Sequence, residues 1–555
     1  MATITESQKA ALDEAKQETL DKRSAEAERS PAQRAQDTVP FASAIERFWE
    51  RDTLPFSIPV HIGGRGIAPE VERWAGRDVV RADLPLSHGL DRRDHSWGVL
   101  ETAQNLFADA VGADTTMFVT NGSSMSVRVA ILTLAGPGDQ LLISRNAHKS
   151  VIAALVLGGI EPVWLEPSWN HELEIAHPPT PDEVARAFQA HPGARGAFIT
   201  SPDFYGGAAD VRAIAELCHE RDVPLAIDDA WGVEYLFGGH PVLPESPLDC
   251  GADMVFGSLH KSMSGLTQTS VIHVQGSRID ADRLTLCFEL EKSTSMSTVL
   301  LSSIDGARAQ YVRDGRTLIA NAIEMSELAR RRIAEEVPEL HVVGVDELEA
   351  QDGVVRADPT HVLIEVHPIG ITGYQASDWL EDHPSVTFEL MDHRRIMPCI
   401  SAMHEPEHIE RLVAALRAMV DAHTSDQPHE AVTTAPRGAG DPPGGRTAGD
   451  VGEQQGATTF GPGLIPTGDR IRSEQAMLPR DAFFAQTEDV PWDQADGRIA
   501  ADLVTPYPPG VPVLAPGQRI TAPIVEYLQM VVAAGGLMEG TTDPSLATFR
   551  VVRAK

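Results

Sequence analysis

Residues 258–274 read SLHKSMSGLTQTSVIHV, and the residues just before them, 253–258, read DMVFGS. DMVFGS and TSVIHV (269–274) are short, nearly continuous apolar runs, the pattern of strands buried on both faces. Lys261 therefore falls just after one buried strand and just before a small-residue turn that leads into the next. A lysine at a strand end ordinarily extends its ammonium to water, so the residue alone decides nothing. Working outward, MFVT (117–120), QLLI (140–143), EPVWL (161–165), GAFIT (196–200) and PLAID (224–228) are runs of the same kind. Amphipathic stretches such as VRAIAELCHERD (211–222) lie between several of them. That alternation predicts an α/β fold with a mostly parallel sheet flanked by helices.

PLAIDDAWG ends its strand in Asp228, 33 residues before Lys261. Open α/β sheets bind ligands at the carboxyl ends of their strands, where both residues fall. A lysine and a carboxylate converging there are what pyridoxal 5'-phosphate requires: the lysine holds the cofactor as a Schiff base, and the aspartate keeps its pyridine nitrogen protonated. The nearby carboxylate can raise that nitrogen's pKa by about 1–3 units, which turns the ring into a sink for the electron pair left at the substrate Cα. Asp229 offers the same chemistry. Asp228 is preferred because Ala230 is small enough to let a ring lie flat and Trp231 can border it. In MFVTNGSSMSV a strand runs into Asn121, Gly122, Ser123 and Ser124 and then a helix, a natural seat for a phosphate. Ser258 and His260 are within reach of the same phosphate, and His148, in the loop SRNAHKS (144–150), can stack on the ring and move protons.

The chain has 555 residues and a formal net charge of −34, which disfavours nucleic acid and anionic membrane surfaces as partners. Cys218, Cys250, Cys287 and Cys399 have no paired spacing, so neither a disulfide framework nor a metal cluster is expected. The charged N-terminus lacks the apolar core of a signal peptide, and no run approaches the roughly 20 apolar residues of a membrane span. A cytoplasmic enzyme is expected. Residues 1–40 read as a polar arm, 41–315 as the large cofactor-binding domain and 316–422 as a small α/β domain. The last helix of the small domain is marked by Ile409, Leu412, Val413, Leu416 and Val420. Residues 423–470 read as a linker, since 13 of the 28 residues from Pro436 to Gly463 are Gly or Pro. A separate C-terminal α+β domain occupies 471–555.

FSIPVHIGGRG, GLDRRDHSWGVL, TNGSS, RNAHKS, SPDFYGG, IDDAWG, SLHKS and ITGYQASDWL stand in an order that resembles the ornithine, lysine and arginine decarboxylases. These are fold type I pyridoxal-phosphate enzymes, aspartate-aminotransferase-like. GRIAADLVTPYPPGVPVLAPGQRI resembles that family's C-terminal domain, and the chain is similar to the shorter members that lack an N-terminal wing. The resemblance implies Lys261 as the Schiff-base lysine, Asp228 at the pyridine nitrogen and His148 stacked on the ring. It also implies Ala230 and Trp231 beside the ring, with Ser123, Ser124, Ser258 and His260 at the phosphate. It further implies decarboxylation of a basic L-amino acid by a homodimer or larger homo-oligomer with shared active sites. Glu389 is a candidate acceptor for the substrate's distal cation. The chain departs from the family pattern at Pro59-Val60-His61, at Pro202-Asp203-Phe204-Tyr205-Gly206 and at Met296. Transamination, elimination or oxidation on the same cofactor is therefore the alternative outcome, and a non-catalytic regulatory homologue the third reading.

Overall fold

The computed structural model describes residues 30–51, 56–86, 90, 98–237, 240–384, 386–424, 471–508 and 510–554. Most of the expected N-terminal arm, most of GLDRRDHSWGVL and nearly all of the expected linker lie outside the described residues.

Seven strands form the principal pairings: β1 (Thr115–Val119), β2 (Gln140–Ser144), β3 (Glu161–Leu165), β4 (Ala197–Thr200), β5 (Leu225–Asp228), β6 (Met254–Ser258) and β7 (Ser270–Val274). Each overlaps one of the apolar runs read from the sequence. Every residue of β5, β6 and β7 is buried, which is why these strands are apolar without alternation. The chain divides into two compact units. One combines the residues up to Val129 with Asp229–His240 and Glu245–Leu318; the other combines Ala130–Asp228, Pro241–Pro244 and the chain from Ile319 onward.

In the first unit β7 runs antiparallel to both β1 and β6, so the TSVIHV segment is the return strand of a hairpin after Lys261. In the second unit β3, β2, β4 and β5 are neighbours in that order and all parallel. Only β7 opposes its neighbours, and the mostly parallel α/β fold expected from the sequence is present. The helix Val211–His219 precedes β5. Asp210 caps its start by accepting from the Ala213 amide at 3.0 Å, and Val211, Ile214, Ala215 and Cys218 face the core.

Also in the second unit, a four-stranded antiparallel sheet pairs Ile364–Glu365 with His341–Val342 and Arg395–Met397, and the latter with Leu390–Met391. The helix Pro406–Thr424 covers it with Ile409, Leu412, Val413, Leu416 and Val420 buried. The 39-residue helix Thr298–Glu336 runs without a break through position 316. The C-terminal α+β domain pairs Thr487–Pro491 with Thr548–Val552 and packs the helix Ala522–Ala533. Its Ile524, Leu528 and Phe549 extend the apolar core of the small sheet. Among the described residues no helix is long and apolar enough to cross a membrane.

His273, in β7, is fully buried, with Nδ1 2.7 Å from the Thr116 hydroxyl, and burial lowers its pKa from 6.5 to about 3. Below pH 6.5 the unfolded chain takes up this proton and the folded chain does not. Stability is therefore full above that pH and falls as the solution is acidified toward about pH 3, by at most about 1.4 kcal/mol per pH unit. The expected result is a urea-unfolding free energy that drops less steeply between about pH 6.5 and 5 in His273→Asn than in the parent. Equal slopes would show that this histidine does not set the acid sensitivity.

Candidate active site

In the first unit the site is built at the ends of β1 and β6. After Ser258 the chain makes a single helical turn, Leu259–Ser262, and Lys261 lies on it, half-buried. The sequence placed Lys261 between a buried strand and a small-residue turn, and the structure adds one helical turn there. Its frame is fixed by the start of the returning strand. The Thr269 carbonyl accepts from the Leu259 amide at 3.1 Å and from His260 Nδ1 at 3.3 Å, and Tyr311 donates its hydroxyl proton to the Ser262 carbonyl at 3.0 Å. The Lys261 ammonium sits 4.4 Å from the centroid of the Trp231 ring. A cation on an indole face is held by about 0.5–2 kcal/mol, far less than a buried ion pair.

Opposite the turn, Gly122 begins the helix Gly122–Leu134 with φ +73°, a conformation that favours glycine, and its amide donates to the Gln268 carbonyl at 2.9 Å. Ser258 donates its hydroxyl to Ser123 Oγ at 2.9 Å, joining the two elements. A side chain built on Gly122 would meet no atom within 4 Å, so there is open space beside the start of the helix. Space at a helix start, rimmed by the hydroxyls of Ser123 and Ser258 and by Ser124, suits a phosphate. His260 joins this rim; burial lowers its pKa, so the imidazole is neutral near pH 7. Its Nδ1–H is committed to Thr269, which leaves Nε2 as the nitrogen for a ligand. The structure thus brings Ser123, Ser258, His260, Lys261 and Trp231 into one frame, and this donor set fits a phosphate ester of an aromatic aldehyde.

Asp228 and Asp229 differ in surroundings. Asp229 is fully buried, its amide donates to the Phe256 carbonyl on β6 at 2.9 Å, and its Oδ1 lies against Gly232 and the Tyr235 ring. That carboxylate is turned into its own loop. Asp228, the last residue of β5, is registered opposite Thr200 of β4, and its carbonyl accepts from the Ser201 amide at 3.0 Å. It is 2% exposed, which makes its carboxylate a strong charge for whatever it faces. Ala230 and Trp231 follow in the same turn.

His148 belongs to the second unit, in the loop after β2. Ser150 orients it: the Ser150 hydroxyl is 2.9 Å and the Ser150 amide 3.3 Å from Nδ1. An amide can only donate, so Nδ1 is the acceptor and the proton resides on Nε2. Glu389 is exposed and lies just before the short strand Leu390–Met391 rather than in it; it shares a hydrogen bond with the Tyr507 phenol, whose pKa burial raises. In the same unit a cavity of about 160 Å³ is walled by Asn146, Trp164 and Trp169, by Phe204 and Tyr205 of the altered PDFYG segment, and by Tyr527. Sequence reasoning missed Thr269, Ser150 and the C-terminal residues beside His148. Thr269 and Ser150 carry no signal of their own, being a backbone carbonyl and a small hydroxyl defined only by the fold.

The family model for the Orn/Lys/Arg decarboxylase major domain matches residues 39–405, and that for the C-terminal domain matches 469–541. The chain belongs to the Orn/Lys/Arg decarboxylase family. It is 34% identical to the arginine decarboxylase of Halalkalibacterium halodurans over 93% of this chain and 98% of that one. It is 32% identical to the arginine decarboxylase of Bacillus subtilis over 94% and 99%. Among solved structures, lysine decarboxylase A from Pseudomonas aeruginosa superposes with a TM-score of 0.74 at 23% identity, covering 93% of this chain and 80% of that one. The Francisella novicida lysine decarboxylase superposes at 0.73 and 19%, covering 93% and 81%. The decarboxylase-family reading made from the motifs is therefore correct, the fold is that of fold type I, and the chain is an amino-acid decarboxylase.

Ser258 gives its one hydroxyl proton to Ser123, so Ser123 holds the proton left for an anion; if it forms the phosphate rim, Ser123→Ala removes an interaction worth about 1.5–3 kcal/mol. A pyridoxal-phosphate affinity weaker by roughly 10–100-fold is expected in a tryptophan-fluorescence titration of the apoenzyme. An unchanged affinity would remove Ser123 from the rim.

Proposed function

We propose that this decarboxylase converts L-arginine to agmatine and carbon dioxide, with pyridoxal 5'-phosphate as its cofactor and a homodimer or larger homo-oligomer with shared sites as its working form. The observation that carries the reading is Lys261 on its single turn, poised against Trp231 and beside the Ser123–Ser258 pair. Arginine is favoured over lysine and ornithine by the two arginine decarboxylases that match this chain from end to end at 32–34% identity. The proposed domain limits are 41–315 for the cofactor-binding domain, 316–422 for the small domain and 471–555 for the C-terminal domain.

When bound, the cofactor supplies an electron sink for the pair left at the substrate Cα as carbon dioxide departs. The chain's own residues do the rest. Lys261 would hold the cofactor covalently through Nζ, beside the Trp231 face. Ser123, Ser124, Ser258 and neutral His260 bind the phosphate, and Asp228 holds a proton on the ring nitrogen. Ala230 leaves room for the ring to lie flat, and Trp231 borders it. His148 covers the ring, excludes water from its face, and carries on Nε2 the proton that Cα needs, with Lys261 as the other donor. Glu389, hydrogen-bonded to Tyr507, is the proposed acceptor for the substrate's distal cation.

Two measurements test this. Purified protein supplied with pyridoxal phosphate is assayed for carbon dioxide and amine from arginine, lysine and ornithine. Agmatine is expected to dominate by at least about tenfold, the discrimination one well-paired polar contact supplies. Formation of keto acid, ammonia or peroxide without carbon dioxide would overturn the decarboxylase outcome. Asp228→Asn is expected to lower kcat by roughly 10–1000-fold, the equivalent of 1–3 pKa units on the ring nitrogen. Lys261→Ala is expected to abolish the visible absorbance of the bound cofactor.

A further inference from the structure

The histidine loop does not hold its own position. The Lys149 amide, one residue after His148, donates to the Gly510 carbonyl at 2.9 Å. Arg145 donates through its guanidinium to the carbonyls of Pro512 and Val513, the latter at 2.9 Å. Lys149 pairs with Glu539 through its ammonium, which lies 5.3 Å from the centroid of the Tyr507 ring. Tyr507, Gly510, Pro512 and Val513, in the C-terminal domain, are therefore held against RNAHKS by both backbone and side chains.

Gly510 is the close approach. It has φ +86°, and a β-carbon built on it would stand 3.2 Å from His148 Cδ2 and 3.4 Å from Nε2. Those two atoms form the ring edge that carries the proton, because Ser150 occupies the Nδ1 edge. One edge of the imidazole is thus set by a neighbour two residues away and the other by the C-terminal domain. We propose that Gly510 is a positioning residue for His148, and that the C-terminal domain takes part in the reaction by fixing where the Nε2 proton points.

This inference rests on the role given to His148 above, and the experiment separates the two. Holoenzymes carrying Gly510→Ala, Gly497→Ala and His148→Asn are compared with the parent for kcat, KM, the pH profile of kcat, the visible absorbance of the bound cofactor and cofactor affinity. Gly497 is the control: it also has a left-handed φ, +77°, in the same domain, but a side chain there meets nothing within 4 Å. Both glycine variants bear similar backbone strain, and only one pushes on the imidazole. Gly510→Ala is expected to lower kcat by roughly tenfold or more with KM changed less than about threefold, the penalty for misplacing a catalytic group by a fraction of an ångström. It should also displace the pH profile and the absorbance band. Gly497→Ala should match the parent within about twofold in every readout, since its strain is not coupled to the site. Identical behaviour of the two glycine variants would overturn the proposal. Parent-like kcat and absorbance in His148→Asn would instead overturn the role of His148 itself. Should Gly510→Ala not fold, Arg145→Gln loosens the same clamp through the Pro512 and Val513 carbonyls. It is expected to shift the pH profile in the same way, and an unshifted profile would count against the clamp.

Discussion

The site depends on how the ammonium of Lys261 is held. In the role proposed for Lys261, a deep ion pair would hinder release of the cofactor, because breaking such a pair leaves a charge stranded at a cost of about 3–5 kcal/mol. The lysine also cannot wander, since covalent chemistry needs the nitrogen within reach of a fixed carbonyl carbon. The face of Trp231, 4.4 Å away, limits its travel with a contact several-fold weaker than a buried pair. The rest of the first unit's frame serves that placement. The single turn Leu259–Ser262 is tied at its start to Thr269 and at its end to Tyr311, so the residue between is displaced only by bending its own side chain.

That frame is economical in its use of one carbonyl. Thr269 accepts from both the Leu259 amide and the His260 ring, so the backbone of the lysine turn and the tautomer of His260 are fixed by a single atom. The atom is where it is because β7 returns antiparallel to β6, in register from Ser270 opposite Ser258. Ser258 in turn bonds to Ser123 at the head of the next helix. Sheet register therefore propagates directly into the geometry around the lysine, with no loop of independent conformation between them.

Much of this was legible in the sequence because buried strands write themselves plainly. EPVWL is β3 residue for residue, PLAID and DMVFGS differ from β5 and β6 by one residue each, and Lys261 follows β6 as expected. The choice of Asp228 over Asp229 was argued from Ala230 and Trp231. The structure adds a different reason, that Asp229 turns its carboxylate toward Gly232 and Tyr235. What the sequence did not disclose is pairwise and distant. Gly510 reads as one more glycine in a proline-rich stretch, and only coordinates reveal that it abuts His148. Glu389 precedes the short strand Leu390–Met391 and is solvent-exposed beside Tyr507, a pairing of distant segments that VTFELMDHR does not announce.

The two edges of His148 divide labour between local and long-range structure. Ser150 selects the tautomer, a choice made within two residues and available to any chain that forms this loop. A tautomer is chemically useful only if the ring is also aimed, and the loop's aim comes from elsewhere: Lys149 and Arg145 both donate to carbonyls between Gly510 and Val513. Backbone carbonyls keep their positions when side chains vary, so the domain that supplies them can diverge in sequence while holding its grip. The one residue in that stretch that cannot vary freely is the glycine, because it alone has both a left-handed φ and an imidazole within reach of its missing β-carbon. On the role proposed for His148, a C-terminal domain can thus be required for proton transfer at Cα through its backbone.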